Sequence, residues 1–231
     1  MIMMDEELTE EYIVRAPVSP ERAREIYDRA SAVYDVVGYR SIGLKRQGIS
    51  VARLKEGDKV LEIGFGTGQI LLELAREVGE RGEVHGIEIS PKMLERAMGR
   101  VKKYGLSNRV SLRLGDARRL PYDDSTFDVV FNSYMLDLID TPEIPQILSE
   151  FKRVLKPGGR LVLVNVSKNR KKLTLYERLY KMCAGRCGLF GGGCRPVLTK
   201  PFLEKLGFQN IDRIYAENIT GTEIVWGDKP E

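Results

Sequence analysis

The sequence predicts an α/β fold built on a doubly wound, mostly parallel sheet. Three observations carry this. From residue 59 onward, short apolar runs alternate with segments of helical apolar spacing. The fifth run, RLVLVNV (160–166), is apolar almost without a break, as a strand buried on both faces must be. The first run ends in the glycine-rich turn Gly64-Phe65-Gly66-Thr67-Gly68, where a chain can bend sharply and a ligand can approach the backbone.

The elements follow in order. SPERAREIYDRASAVYDVV opens with Ser19 as an N-cap and Pro20 at the first helical position. Up to about Leu54 the chain reads as helices and loops without a strand. KVLEI (59–63) is the first strand, and TGQILLELAREVG the first crossover helix, with Ile70, Leu71, Leu74 and Val78 on one face. EVHGIEI (83–89) is the second strand. Ser90-Pro91 starts a helix that runs to about Tyr104 and stops at Gly105. VSLRL (110–114) and FDVVFN (127–132) are the third and fourth strands. IPQILSEFKRVL (144–155) is a helix ended by Pro157-Gly158-Gly159, before the fifth strand. TKPFLEKLGF is a short helix; IDRIYAE and TEIVWG (222–227) form a closing pair of strands. Two regions are expected: a helical cap over 1–54 and a ligand-binding domain over 55–231.

Composition narrows the function. Hydrophobic residues make up 42% of 231, enough for a full core, and the net charge of +4 does not demand nucleic acid. No apolar run approaches the roughly 18 residues of a membrane span. The acidic start MIMMDEELTEEY does not resemble a signal peptide. A cytoplasmic protein is expected.

In such sheets the residues just beyond the strands' carboxyl ends carry the chemistry. Here these are Glu62 and the glycines, then Glu88, then Gly115-Asp116-Ala117, then Asn132-Ser133-Tyr134. A carboxylate at Glu88 suits the hydroxyls of a ribose. Asp116 suits an exocyclic amine, or it caps its own turn. The dinucleotide pattern G-x-G-x-x-G fails at Gln69, which argues against a nicotinamide-dependent oxidoreductase.

EIGFGTG, GIEISPKML, LGDARRLPYDDSTFDVVFNSY and RVLKPGGRLVLVN, in this order, resemble the successive motifs of class I S-adenosylmethionine-dependent methyltransferases over about residues 50–167. YDRASAVYDVV is similar to the start of the menaquinone and ubiquinone C-methyltransferases. The resemblance implies a seven-stranded sheet whose last strand, TEIVWG, is antiparallel. It implies that Gly64, Gly66 and Gly68 line S-adenosylmethionine and that Glu62 holds its amino-acid end. It further implies Glu88 and Ile89 at the ribose, Asp116 and Ala117 at the adenine, and Asn132 near the methionine moiety. The product would be S-adenosylhomocysteine. A regulator that binds this cofactor without turnover shares these motifs.

A sulfonium methyl already carries its leaving group, so alignment and water exclusion dominate. No metal is required. His85 lies within strand two and is rejected as a base. Tyr34, with Tyr27 behind it, and Asp137 are the residues positioned to orient an acceptor hydroxyl. Between Lys168 and Lys200 stand nine basic residues, Arg195 among them, and one acid, Glu177. With the apolar LTLYERLYKM this predicts a substrate lid over about 167–198. The acceptor is a small molecule or lipid, a prenylated quinol or a phospholipid head group, approached at an anionic membrane surface. Nucleic acid is not expected. The lid also holds Cys183, Cys187 and Cys194. Free thiols, a disulfide to Cys194 or, least favoured, a zinc site remain open.

Overall fold

The computed structural model describes residues 19–31, 42–167, 195–217 and 221–231. Seven strands form one sheet in the order β3-β2-β1-β4-β5-β7-β6. They are β1 (Lys59–Ile63), β2 (Glu83–Glu88), β3 (Val110–Leu114), β4 (Phe127–Ser133), β5 (Leu155–Val166), β6 (Gln209–Ala216) and β7 (Thr222–Asp228). The first five pair in parallel; β7 runs antiparallel to both β5 and β6. The chain order reverses between β1 and β4, which is the switch point where this architecture opens a cleft.

The helices among the described residues are α1 (Pro20–Ala30), α2 (Ile42–Val51), α3 (Gln69–Glu77), α4 (Pro91–Lys103), α5 (Ile144–Val154) and α6 (Lys200–Lys205). Apolar periodicity decides how they dock. Ile144, Ile147, Leu148, Phe151 and Val154 of α5 recur every three or four residues, and all are buried. They join Leu61, Ile63, Leu161 and Leu163 on one face of the sheet. Val60, Phe131, Val162 and Val164 face the other side, toward α2, α3 and α4. Each strand thus supplies both cores in alternation. The nearly continuous apolar run of β5 reflects this burial on both faces.

β5 differs from expectation at its start. It begins at Leu155, so Pro157-Gly158-Gly159 lies within the strand instead of preceding it. The Gly158 amide donates to the Lys229 carbonyl (2.9 Å), and the Lys229 amide donates to the Gly159 carbonyl (2.8 Å). The register against β4 shifts between Phe127 and Val129 to accommodate the extra residues.

Gly48 sets how closely α2 can approach. A Cβ there would lie 2.8 Å from Val164 Cγ2 and 3.2 Å from the Phe131 ring. Gly43, on the same helix, has open space around its Cβ position. Gly48→Val should therefore lower the free energy of unfolding in guanidinium by about 2 kcal/mol. Gly43→Ala should cost nothing or stabilise. Equal losses at both sites would mean that helix propensity, not the contact with β4 and β5, decides.

Candidate active site

A cleft opens over the carboxyl ends of β1, β2, β3 and β4. Gly64, Gly66, Ile87, Glu88, Ile89, Gly115, Asp116, Ala117, Tyr134, Met135, Leu138 and Ile139 line it, and Ala23 and Tyr27 of α1 lie across it. Of the residues singled out from sequence, Gly64, Gly66, Glu88, Ile89, Asp116 and Ala117 therefore meet in one place. Glu62, Gly68 and Asn132 are not among the lining residues.

Two of the lining glycines, Gly64 and Gly66, are required by backbone conformation. Gly64 and Gly66 have φ of 71° and 56°. A Cβ on Gly64 would lie 2.9 Å from Met135 Cβ. Gly68, at φ 78°, serves packing: its Cβ would meet Ala97 Cβ of α4 at 3.0 Å.

Glu88 is 7% exposed and is held by backbone. Its Oε2 accepts from the Gly66 amide, and its Oε1 accepts from the amides of Ile89 and Ser90, each at 2.9 Å. Burial still pushes the carboxyl above its ordinary range, against the pull of these amides. Next in sequence, Ser90 caps α4: its Oγ accepts from the Met93 amide at 3.1 Å. The same hydroxyl donates to Asp28 Oδ1 of α1 at 2.6 Å. Asp28 Oδ1 also lies 3.4 Å from the Lys92 amide, an acid over a helix N-terminus. This contact seats α1 where Ala23 and Tyr27 reach the cleft.

Glu62 is 1% exposed, and its Oε2 has no hydrogen-bond partner among the described residues. Burial pushes its pKa from 4.5 up to about 8; Lys45 of α2 opposes the rise, while Glu88 and Glu73 add to it. Asn132 donates through Nδ2 to the Ile63 carbonyl at 2.7 Å and leaves its buried Oδ1 unpartnered. Asp116 closes its own turn, accepting from the Arg118 amide at 2.9 Å, and pairs with the Arg118 guanidinium at 3.1 Å. Arg118 also reaches Glu143.

Asp137 is fully buried in the 3-10 turn Leu136–Leu138 and does not line the cleft. Its Oδ2 accepts from the Val166 amide (3.3 Å), and its carbonyl accepts from the Arg195 amide (3.0 Å). Arg195, counted from sequence as lid charge, is instead 0% exposed and donates to the Ile139 carbonyl. Its charge is spent inside the protein. His85 packs against Tyr122 and Phe127 and shares a hydrogen bond with Glu83. Tyr34, the three cysteines and the lid residues 168–194 lie outside the described residues.

Sequence reasoning missed the apolar wall of Met135, Leu138 and Ile139. The signal was available, since these residues come directly after β4. Tyr134 holds φ 53°, uncommon for a side chain this large, and its amide donates to the Val164 carbonyl. Lys45 was missed because nothing local marks it.

A family described as a methyltransferase domain matches residues 60–159. A demethylmenaquinone methyltransferase of Lactobacillus johnsonii is 34% identical over 185 residues, covering 73% of this chain and 75% of that protein. The chain belongs to the S-adenosylmethionine-dependent methyltransferases. A demethylmenaquinone methyltransferase of Symbiobacterium thermophilum is 35% identical over 161 residues, or 66% of this chain; the match spans 63% of that relative's length. Among solved structures, the cyclase SpnF superposes with a TM-score of 0.75 at 22% identity, covering 94% of this chain and 98% of its own. That likeness speaks for the fold alone.

The residues present fit the family's cofactor. Glu62 Oε2 is a buried acceptor without a donor, the condition a cationic ammonium would relieve. Gly64 and Gly66 leave the backbone bare where a side chain would intrude.

Glu62 also sets a pH dependence. With its folded pKa raised to about 8, the neutral carboxyl favours the fold fully below 4.5, and that contribution is lost as pH rises through 8. Glu62→Gln should thus make the ligand-free chain more stable at pH 8.5, by on the order of 2 kcal/mol, with the gain vanishing near pH 4.5. Thermal unfolding across this range checks it; a gain independent of pH would assign the effect to something other than titration.

Proposed function

We propose that this chain transfers the methyl group of S-adenosylmethionine to an apolar, ring-bearing acceptor of the quinol class. The observation that carries the reading is the division of the cleft. Acidic groups line it at Glu88 and Asp116, with Glu62 buried at the end of β1, and Met135, Leu138 and Ile139 give it an apolar wall. A nucleoside bearing an amino acid suits the first half; a hydrophobic ring suits the second. Relatives named for demethylmenaquinone favour a quinol over a phospholipid head group.

When bound, the cofactor supplies a methyl group on a sulfonium, activated for direct displacement. The protein's part is alignment and dryness. Glu62 meets the ammonium. Glu88 has three acceptor positions filled by backbone and so offers the ribose its remaining capacity beside Gly66. Asp116 and Ala117 border the adenine. Ala23 and Tyr27 form a roof that α1 holds in place through Asp28 and Ser90. The apolar wall keeps water from the face on which the acceptor lies.

Incubation with labelled S-adenosylmethionine and a demethylmenaquinol should place label in the quinol fraction. Phospholipid, RNA and small polar metabolites should remain unlabelled. Glu88→Ala should weaken S-adenosylhomocysteine binding by calorimetry, about tenfold or more. Tight cofactor binding with no label in any fraction would favour a non-enzymatic binding protein. An unchanged dissociation constant for Glu88→Ala would remove that residue from the site.

A further inference from the structure

We infer that Arg118 is a positioning residue that couples the two halves of the cleft, so that cofactor bound on the Asp116 side favours acceptor bound against the apolar wall. The inference rests on the cofactor and acceptor reading above and adds to it a residue which that reading leaves without a role.

Arg118 lines the cleft in the loop after β3, and its side chain is 21% exposed. It holds one acid on each side. Its amide and Nη1 donate to Asp116 Oδ1 at 2.9 and 3.1 Å, and Nη1 also reaches Oδ2 at 3.1 Å. Its Nε donates to Glu143 Oε2 at 2.5 Å. Glu143 ends the 3-10 turn Thr141–Glu143, which begins two residues past Ile139 of the apolar wall. A guanidinium is a planar fork whose donors keep fixed directions. One such fork therefore joins the Asp116 loop to the segment that carries the wall.

Two details set this apart from an ordinary surface pair. Glu143 stands at the N-cap of α5, yet its side chain makes no capping bond there. The carboxylate is spent on Arg118 instead. The loop between β3 and β4 is also fastened to α5 without Arg118. Arg153 donates to the carbonyls of Leu120 and Tyr122 and pairs with Asp124, while Glu150 accepts from the Leu120 amide. Arg118 thus adds something other than anchorage of the loop: it sets where Asp116 stands relative to the start of α5.

The coupling follows from the shared carboxylate. Asp116 Oδ2 keeps acceptor capacity for an exocyclic amine. An amine that donates there immobilises Asp116, and through Arg118 it immobilises Glu143. The acceptor then meets a wall that is already ordered, and the cost of ordering no longer weakens its binding. Linkage makes the effect reciprocal, so the acceptor tightens the cofactor by the same factor.

Titration calorimetry on the full chain tests this with S-adenosylhomocysteine and a short-chain demethylmenaquinol, each alone and each with the other saturating. In wild type each ligand should tighten the other about tenfold. Glu143→Gln breaks the ion pair and leaves Arg118 on Asp116. This variant should bind S-adenosylhomocysteine alone within about twofold of wild type, while the coupling falls to about twofold or less. Arg118→Met should lose the coupling as well, and the double variant should lose no more of it than either single one. In turnover, Glu143→Gln should raise the quinol KM by more than it lowers kcat. Coupling that survives in Glu143→Gln, is absent from wild type, or falls only as affinity for S-adenosylhomocysteine alone falls would overturn the inference. Wild type that binds S-adenosylhomocysteine but no quinol would sink the acceptor reading, and the coupling with it.

Discussion

Much of the cleft depends on one buried carboxylate. Glu88 accepts three backbone amides, from Gly66, Ile89 and Ser90. These belong to the turn after β1, the end of β2 and the start of α4. Without an acceptor there, three donors would face each other in a site too buried for water to serve them freely. Glu88 thus holds the glycine turn against its neighbour strand. The next residue, Ser90, extends the constraint outward: it caps α4 and grips Asp28. A run of hydrogen bonds therefore connects the glycine turn to α1, and the roof over the cleft is fixed by the same residues that form its floor.

The cleft also concentrates unfavourable charge. Glu62 and Glu88 are both nearly inaccessible, and Glu88 and Glu73 raise the cost of ionising Glu62 beyond what burial alone imposes. A core built for stability alone would not place two acids so close. A cation held beside Glu62 would offset that cost. The fold tolerates the cost because both faces of the sheet are densely apolar, with Phe127, Phe131, Phe151 and many aliphatic residues fully buried.

Most strands were legible because parallel strands buried on both faces leave uninterrupted apolar runs between glycine and proline. β1 and β3 keep the bounds their runs suggest, and Ser90 caps the helix that Ser-Pro announces. What escaped is long-range. The PGG segment looks like punctuation until Lys229, far along the chain, pairs with it. Gly68 reads as part of a ligand loop, and its closeness to Ala97 is invisible in the local pattern. Lys45 lies in a helix with no motif, yet its charge opposes the rise in the Glu62 pKa. Local pattern reports which face a residue takes; it does not report what the opposite element brings to that face.

The same distinction applies to charge. Arg195 adds to the basic count of its segment, yet its guanidinium is buried and donates to the carbonyl of Ile139, a residue of the cleft wall. Its amide binds the Asp137 carbonyl, while Asp137 takes the Val166 amide and Val197 returns a hydrogen bond to the Val166 carbonyl. The re-entry of the chain at 195 is thereby fastened to the end of β5 and to the apolar half of the cleft together. Neutralising this arginine would disturb the wall before it changed any surface potential. A positive count in sequence is an argument about surface only for those residues that reach it, and at Arg195 the charge supports the apolar wall of the cleft instead.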